Sequence, residues 1–528
     1  MATAEVPVKR GEFVNEPASD FSRPEIRKAQ EDALKKVGAE LGRDYPLLIG
    51  GEKVETQDKL RSISPSRPDQ AVGIFSKANV ELANRAVEEA DKAFQSWKRV
   101  PYQKRAEILF RAGDLLRKRK YEFNAWLIYE VGKTWPEADA DINETIDFCE
   151  FYPREMLRLG GPQPLTPVKG EKNYLEYIPL GVAVVIPPWN FAGAIMGGMT
   201  MAALVAGNTV VLKPSSDSPT IAYKFAELLY EAGLPKNALQ FCPGPGSSMG
   251  DALVLHPKTR MIAFTGSKEV GLRVADVAAK LSPGQIWIKR YILEMGGKDA
   301  IIVDEEADLD AAVEGVTVSA FGYQGQKCSA CSRAIVSEKI YDAFLTKLAE
   351  RVKKIKVGPC DDPSNYMGPV INKNSMKSIL EYIEVGKKDG RLICGGNPVN
   401  VPEAPGGYYL EPTVIADIPP KSRLEQEEVF GPLLAVIKAR NYDHALEIAN
   451  DTEFGLTGAV YSKNQAKLDR AAVEFHCGNL YLNRKCTGAF VGGHPFGGFN
   501  MSGTDSKAGG RDYLLLFTQA KVVTQKVS

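Results

Sequence analysis

The stretch Val182-Ala-Val-Val-Ile186 decides the fold of this chain, because it is a short apolar run with no polar position to face water. Similar runs follow at 209–212, 239–242 and 261–264, with helical patterns such as 218–232 and 249–255 between them. Strands that are apolar on both faces and alternate with helices are typical of a parallel sheet covered by helices. The pattern therefore predicts an α/β fold with a nucleotide crevice at the carboxyl ends of the strands.

Further helices and strands are predicted on both sides of this stretch. Towards the C-terminus a second alternation predicts a strand at 333–336 and helices near 308–321, 340–354 and 373–388. Towards the N-terminus we predict a polar extension with one helix near 24–41, a hairpin at 47–55, an amphipathic helix capped by Asn79, and one or two helices over 103–131. A chain of 528 residues is too long for one core, so at least two domains are expected.

Composition narrows the class of protein. Lys plus Arg and Asp plus Glu both number 66, so the formal net charge is zero, which argues against a binder of nucleic acid or membrane surfaces that depends on bulk charge. Eight sparse cysteines form no disulfide framework, and the acidic N-terminal region fits no secretory or transit signal, so a cytoplasmic protein is expected. The four histidines never pair at helical spacing, which leaves a histidine metal site unsupported.

One cysteine stands in an unusual context. Cys328 lies in Gly325-Gln-Lys-Cys-Ser, where nothing is typical of a core and Gly325 would let the backbone approach a ligand. We interpret Cys328 as a nucleophile, although a lone cysteine is more often a small buried apolar residue. With Cys331 it could form a redox pair or half a zinc site, but no second Cys-x-x-Cys exists, which makes zinc improbable.

Two glycine-containing loops follow predicted strands. Gly244-Pro-Gly246-Ser-Ser-Met-Gly250 departs from the dinucleotide fingerprint by one residue, and Phe264-Thr-Gly-Ser267 would place free N–H groups and a hydroxyl at a helix N-terminus. Each loop has an ordinary alternative as a plain turn. Two such loops in one parallel sheet favour a nucleotide cofactor. Gly132-Lys-Thr, by contrast, lacks the first glycine of a phosphate loop and is interpreted as a helix end.

Seven short blocks occur in one order, and together they closely resemble the aldehyde dehydrogenase superfamily. They are Pro188-Trp189-Asn190-Phe191, Leu212-Lys213-Pro214-Ser215, Phe264-Thr-Gly-Ser267, Leu293-Glu294-Met-Gly-Gly-Lys298, Gly325-Gln-Lys-Cys328, Glu428-Val-Phe-Gly-Pro432 and Pro495-Phe-Gly-Gly498. The resemblance covers nearly everything from about residue 45 onward. One block alone has little specificity, whereas seven in this order are very specific.

The resemblance implies a role for each matching residue. Cys328 is the thiolate nucleophile, Asn190 and the Cys328 N–H bind the oxyanion, and Glu294 activates the water that releases the acid. The thiol needs a lowered pKa, for which we expect help from Lys213, the cofactor ring, local N–H groups and Glu294 through water. The residues expected to bind NAD are Lys213, Ser215, Ser216, Gly246, Gly266, Ser267, Glu428 and Phe430.

One position departs from the pattern of many NAD-specific members. They carry glutamate three residues after the ribose-binding lysine, and this chain has Ser216. A carboxylate there would repel a 2′-phosphate, so we predict that NAD is used and NADP is tolerated.

The mouth of the site resembles the superfamily branch that oxidises glutamate γ-semialdehyde, which derives from 1-pyrroline-5-carboxylate. Asn483-Arg-Lys-Cys-Thr487-Gly-Ala489 carries that likeness. The far end of such a substrate needs an anion pocket, which the Ser329 hydroxyl and the Gly488 and Ala489 N–H groups would supply, while Phe191 and Phe496 would sandwich its aliphatic chain. Another aldehyde dehydrogenase, acting on succinate semialdehyde or an aliphatic aldehyde, and a non-catalytic structural relative remain as alternatives.

The resemblance also implies an architecture. We expect a Rossmann-like NAD-binding domain over 46–160 and 181–295, a catalytic domain over 296–490, and an oligomerisation flap with a C-terminal segment over 161–180 and 491–528, after an N-terminal extension of residues 1–45. The flap would pair Tyr174-Leu-Glu-Tyr177 with a strand near 521–525. An exposed strand edge of that kind favours a dimer or higher homo-oligomer. A separate proline dehydrogenase would supply the substrate, with a transient contact possible.

Overall fold

The computed structural model describes residues 10–527. Its helices are α1 Pro24–Gly38, α2 Val80–Trp97, α3 Tyr102–Lys118, α4 Lys120–Val131, α5 Trp135–Leu159, α6 Ala194–Val205, α7 Pro219–Glu231, α8 Asp251–Leu255, α9 Lys268–Ala279, α10 Leu309–Phe321, α11 Tyr341–Val352, α12 Lys373–Asp389, α13 Arg423–Gln426, α14 Tyr442–Asn450 and α15 Gln465–Glu474. Within this range no helix is both long enough and apolar enough to cross a membrane.

The strands are short and numerous. They are β1 Arg43–Tyr45, β2 Leu47–Ile49, β3 Glu52–Val54, β4 Lys59–Ile63, β5 Ala71–Ser76, β6 Gln163–Pro164, β7 Glu171–Pro179, β8 Val182–Ile186, β9 Thr209–Leu212, β10 Leu239–Phe241, β11 Thr259–Thr265, β12 Arg290–Glu294, β13 Ala300–Val303, β14 Arg333–Ser337, β15 Arg391–Cys394, β16 Thr413–Ala416, β17 Leu433–Ala439, β18 Phe454–Gly455, β19 Thr457–Tyr461, β20 Asn479–Leu482, β21 Phe499–Asn500 and β22 Thr518–Lys526.

The predicted parallel α/β architecture is confirmed by two seven-stranded sheets. The first has the order β12-β11-β8-β9-β10-β2-β3, in which β8 to β12 are parallel and the β2–β3 hairpin adds antiparallel strands at one edge. The second has the order β15-β16-β17-β14-β13-β19-β20 and is parallel except for β15. The segment from β12 to β13 joins the two sheets, so side chains at the end of β12 lie where the sheets meet.

Several local predictions agree with the structure. Asn79 caps α2 by accepting the Leu82 N–H at 2.9 Å, and the stretch over 103–131 divides into α3 and α4. Gly132, with φ of 64°, ends α4 in the left-handed conformation, as the interpretation of Gly132-Lys-Thr required. The antiparallel pair of β7 with β22 contains the expected partners, including Tyr174 with Val523 and Glu176 with Lys521.

The largest element that we did not predict is α5, a helix of 25 residues packed against α3 and α6. Its buried Asp141 forms an ion pair with Lys133 at 2.8 Å and accepts the Ala194 N–H at the start of α6 at 2.7 Å. A carboxylate at a helix N-terminus stabilises that end of the helix. Helix α5 thereby positions the segment that precedes α6, which carries Asn190 and Phe191.

Candidate active site

The loop over residues 322–332, which carries Cys328 and which we call the nucleophile loop, follows α10. Its backbone conformation is tightly constrained. Tyr323, Gln324 and Gly325 have φ angles of 50°, 57° and 66°. A Cβ atom on Gly325 would lie 2.3 Å from the Gly431 carbonyl oxygen, so only glycine fits. We expected Gly325 to admit a ligand; instead it admits the backbone of the segment that carries Phe430. This contact ties the nucleophile loop to the Glu428 loop.

Cys328 lies at the junction of two cavities. Ile195, Thr265 and Met295 line both cavities together with Cys328. A thiol in this place can meet molecules held on either side. The arrangement therefore suits a reaction between two bound partners at one sulfur atom.

One of these two cavities, called the first cavity below, is lined by nearly all of the residues expected to bind the cofactor. Gly246, which lies in the turn before α8, does not line it. Asn190 lies in its wall and donates its side-chain amide to the Gln326 carbonyl at 3.0 Å, a contact that holds the amide beside the nucleophile loop. The expected residues in the lining are Lys213, Ser215, Ser216, Gly266, Ser267, Glu428 and Phe430.

Two charged groups in this cavity are poorly neutralised by the protein. Lys213 is buried, its nearest acceptor is the Pro214 carbonyl at 3.4 Å, and burial lowers its pKa to about 8. The Glu428 carboxylate accepts the Gly297 N–H at 3.0 Å, and burial raises its pKa. A buried ammonium and a half-buried carboxylate with few partners are suited to hydroxyl groups of a ligand.

One part of the cavity wall is formed by the N-terminus of α9. Ser267 caps this helix by accepting the Val270 N–H, and both residues line the cavity. Asp217 also lines the cavity and was missed in the sequence analysis. Its carboxylate accepts the Asn372 side-chain amide at 3.4 Å, and burial raises its pKa. An acidic residue is therefore present one position after Ser216.

The second cavity contains every residue that we expected to contact the substrate. Its lining includes aromatic rings, aliphatic side chains and small residues of the loop after β20. The expected residues in its lining are Phe191, Ser329, Gly488, Ala489 and Phe496.

Helix α5 contributes a further face to the second cavity. Glu144, Phe148 and Tyr152 line it at i, i+4 and i+8 spacing. Burial raises the pKa of Glu144 to about 8, and the nearby Asp141 adds to this rise. A carboxylate inside an apolar cavity is a candidate for binding a ligand ammonium group. The spacing of these three residues can be read from the sequence, but it places them on one face only if the segment is a helix, and we did not predict α5.

Glu294 lines the second cavity at the end of β12. Its carboxylate accepts the Ser506 hydroxyl and, at 3.3 Å, the Gly498 N–H. Burial raises its pKa to about 8, although these two hydrogen bonds oppose the rise. A carboxyl group with such a pKa can exchange protons near neutral pH.

The surroundings of Cys328 raise the pKa of its thiol. Burial raises its pKa, the carboxyl groups of Asp299, Glu428 and Glu294 raise it further, and the Ser329 N–H opposes them. Among the groups with the largest effects on this pKa, a local N–H acts in the direction that we predicted. The carboxyl group of Glu294 shifts the pKa the opposite way. A positive charge on a bound ligand beside the sulfur would lower this pKa.

Cys331 is buried on the far side of this loop, where its N–H donates to the Ser319 carbonyl. Its sulfur interacts with that of Cys486, whose own thiol contacts the Ser329 carbonyl at 3.3 Å. A redox partnership of Cys331 with Cys328 remains a prediction without structural support. Across residues 10–527, no cluster of three or more His, Cys, Asp or Glu side chains is arranged to hold a metal ion.

Comparison with known proteins places this site among enzymes. The family model described as the aldehyde dehydrogenase family matches residues 53–523. A 1-pyrroline-5-carboxylate dehydrogenase of Geobacillus kaustophilus (strain HTA426) is 57% identical over 513 residues, which are 97% of this chain and 99% of that protein.

Solved structures give the same picture. A 1-pyrroline-5-carboxylate dehydrogenase from Thermus with bound NAD has a TM-score of 0.96 at 48% identity, covering 98% of this chain and 100% of the other. A betaine aldehyde dehydrogenase from Staphylococcus aureus in complex with NAD+ has a TM-score of 0.88 at 29% identity, with 95% and 98% covered.

Proposed function

We propose, from the premise that the chain belongs to the aldehyde dehydrogenase family, that it oxidises L-glutamate γ-semialdehyde to L-glutamate with NAD as the hydride acceptor. The semialdehyde forms from 1-pyrroline-5-carboxylate, so the reaction is the second step of proline degradation. Relatives with this activity in their names match nearly the whole chain. The observation that supports the proposal most strongly is the position of Cys328 between a cavity that presents Lys213, Ser267 and Glu428 to a dinucleotide and a cavity suited to an amino-acid aldehyde.

The chemistry begins at the sulfur atom. The Cys328 thiolate attacks the aldehyde carbon and forms a tetrahedral adduct, whose oxyanion accepts hydrogen bonds from the Asn190 amide and the Cys328 N–H. Preorganised donors of this kind each contribute about 10²–10³ in rate. Loss of hydride from the adduct leaves a thioester on Cys328. Glu294 then takes a proton from water, which attacks the thioester and releases the carboxylic acid.

The residues of the first cavity fit a dinucleotide. Bound NAD supplies the hydride acceptor and a positive ring close to the thiol. The Lys213 ammonium and the Glu428 carboxylate would bind its two riboses, Ser267 and the N-terminus of α9 its pyrophosphate, and Phe430 would pack beside the nicotinamide ribose. Lys213 and Glu428 have few partners within the chain, which supports this assignment.

The second cavity offers a complementary group for each end of the amino acid. The Ser329 hydroxyl and the N–H groups of Gly488 and Ala489 would bind the α-carboxylate, and Glu144 would bind the α-ammonium group. Phe191 and Phe496 would pack against the carbon chain between them. All of these residues line one cavity with Cys328, which supports the proposal.

The test is NADH production by purified protein across a panel of aldehydes, with Cys328→Ala as the control. We expect glutamate semialdehyde to give the highest kcat/KM and Cys328→Ala to give no turnover. A higher kcat/KM with propanal or succinate semialdehyde would overturn the substrate assignment. Turnover by Cys328→Ala equal to wild type would overturn the mechanism.

We further propose the domain division set out above and a homo-oligomer built through the flap. Strand β22 lies at the open edge of the β22-β7-β6 sheet, which supports an intersubunit role for it. The eight cysteines are all unpaired, which supports a reducing compartment such as the cytoplasm.

A further inference from the structure

The loop that follows β20 is organised by one guanidinium group. Arg484 donates hydrogen bonds to three backbone carbonyls of this loop, those of Lys485 at 3.1 Å, Thr487 at 3.2 Å and Gly488. Its guanidinium carbon also lies 4.4 Å from the centre of the Tyr481 ring. Tyr481 is buried within β20, so the Arg484 guanidinium packs against a side chain that is itself held in the core.

The peptide units that Arg484 holds are those that face the substrate cavity. A trans peptide directs its C=O and its N–H to opposite sides. The carbonyls of Thr487 and Gly488 belong to the same peptide units as the N–H groups of Gly488 and Ala489. Binding of both carbonyls on one side therefore turns both N–H groups to the other side, where Gly488 and Ala489 line the cavity beside Ser329.

The peptide unit between Lys485 and Cys486 is oriented in the same way, with its carbonyl towards Arg484 and its N–H away from Arg484. The Lys485 carbonyl is held by Arg484, and the N–H of that unit, on Cys486, donates to the Ser319 hydroxyl at 3.3 Å on the interior side. The N–H groups of Gly488 and Ala489 have no acceptor in the part of the chain that the structure describes. Gly488 has a φ of 75°, and N–H groups flanking such a left-handed residue form a concave site for anions.

We propose that Arg484 is a positioning residue that creates the anion site for the substrate α-carboxylate, although it does not touch the substrate. It orients the Gly488 and Ala489 N–H groups, and by binding their carbonyls it polarises both peptides and strengthens the N–H groups as donors. This inference rests on the proposed function, because it assumes a substrate with a carboxylate at the end remote from the aldehyde.

Two variants separate this role from simple attraction by positive charge. Arg484→Lys keeps the charge but replaces the two separate nitrogens from which Arg484 reaches the three carbonyls with one nitrogen on a shorter side chain, so the same set of hydrogen bonds cannot form. Lys485→Gln removes a charge at a similar place, since Lys485 Nζ and Arg484 Nη2 lie 3.6 and 3.9 Å from the position of a Cβ on Gly488. The loop bonds of Arg484 remain possible in Lys485→Gln.

We would measure kcat and KM of both variants with glutamate semialdehyde, succinate semialdehyde and propanal at low and high salt. Arg484→Lys is expected to raise KM for the two carboxylate-bearing substrates about tenfold or more, the effect of losing hydrogen bonds to a charged group. Its kcat/KM with propanal should stay near the wild-type value, which also shows that the variant folds. Lys485→Gln should have the smaller effect, confined to low salt.

Equal KM values for Arg484→Lys and wild type with both carboxylate substrates would overturn the inference. It would also be overturned if Lys485→Gln raised KM as much as Arg484→Lys, because charge alone would then explain the effect. If Arg484→Lys lost propanal activity to the same degree, the residue would have a general structural role and the inference would again fail. Failure of the proposed function is distinguishable, because wild type would then show no preference for glutamate semialdehyde.

Discussion

Burial raises the pKa of Glu294 to about 8, so below that pH most molecules carry the protonated carboxyl group. A protonated carboxyl cannot take a proton from water. The acylation half of the reaction does not require this base, whereas release of the acid from the thioester does. The two halves should therefore separate as the pH falls.

We predict that kcat rises with pH between about 6 and 9 and levels off above the Glu294 pKa. Near pH 6, rapid mixing should show a burst of NADH followed by slow turnover. Glu294→Gln should show the burst at every pH with little turnover after it. A Glu294→Gln variant without a burst would place this residue in acylation instead.

We expect the choice between NAD and NADP to depend on the residues that follow Lys213. The Ser216 hydroxyl would not repel a 2′-phosphate, whereas the carboxylate of the neighbouring Asp217, which lines the same cavity, would. We predict that the NAD preference in kcat/KM stays below about a thousandfold, the scale of full electrostatic exclusion. Ser216→Glu should increase this preference and Asp217→Asn should decrease it. A wild-type preference above that limit would show that Asp217 already excludes the phosphate.

Single residues differed in how visible they were in the sequence. Cys328, Asn190 and Glu294 lie in blocks whose order is specific, so their positions beside one cavity system could be predicted. Glu144 and Asp217 belong to no such block, and only the fold shows that they line the cavities. The raised pKa of Cys328 was not foreseeable either, because it depends on burial and on carboxyl groups from other elements.

At the scale of elements, strands were easier to predict than α5. The apolar runs of β8 and β9 are buried on both faces, so their sequence alone indicates a central strand. Helix α5 is also largely buried, but it buries acidic residues such as Asp139, Asp147 and Glu150. Their partners come from distant segments, for example Arg10 and the backbone of Glu16. Because its sequence is polar, the burial of α5 in the core could not be predicted from the sequence.

The ion pair of Lys133 with Asp141 is expected to matter for both stability and binding. Both side chains are fully buried, and the ammonium also lies 4.2 Å from the centre of the Phe191 ring. Removal of one partner from a buried pair costs about 3–5 kcal/mol, because the other charge is left uncompensated.

Lys133→Met should therefore lower the thermal unfolding temperature and raise KM for glutamate semialdehyde through displacement of Phe191. Lys280→Met is the matched control, since its pair with Asp276 is exposed. It should leave both quantities unchanged. An unfolding temperature of Lys133→Met equal to wild type would show that α5 holds α6 without this pair.

At the scale of the whole molecule, the flap leaves a nine-residue strand edge open. Val522 on β22 is 58% exposed, and the strand has no partner on its outer side among residues 10–527. Charge on an edge strand opposes pairing with another chain. Val522→Lys should therefore reduce the oligomeric state measured by light scattering during size-exclusion chromatography.

Val473→Lys serves as the comparison, because Val473 is 86% exposed on α15 and lies outside the flap. It should not change the molar mass. If Val522→Lys has the mass of wild type, assembly does not depend on this edge.

The junction at Cys328 has a consequence for inhibition. Consider a reagent that carries an α-amino acid group at one end and a weak electrophile at the other. It would bind in the second cavity and alkylate the Cys328 sulfur from the substrate side. The first cavity, in which we propose that NAD binds, would stay free, so cellular NAD would not compete with such an inhibitor. Its selectivity over other thiol enzymes would come from Ser329 and the Gly488-Ala489 turn, and alkylation of Cys328 would make the inactivation irreversible.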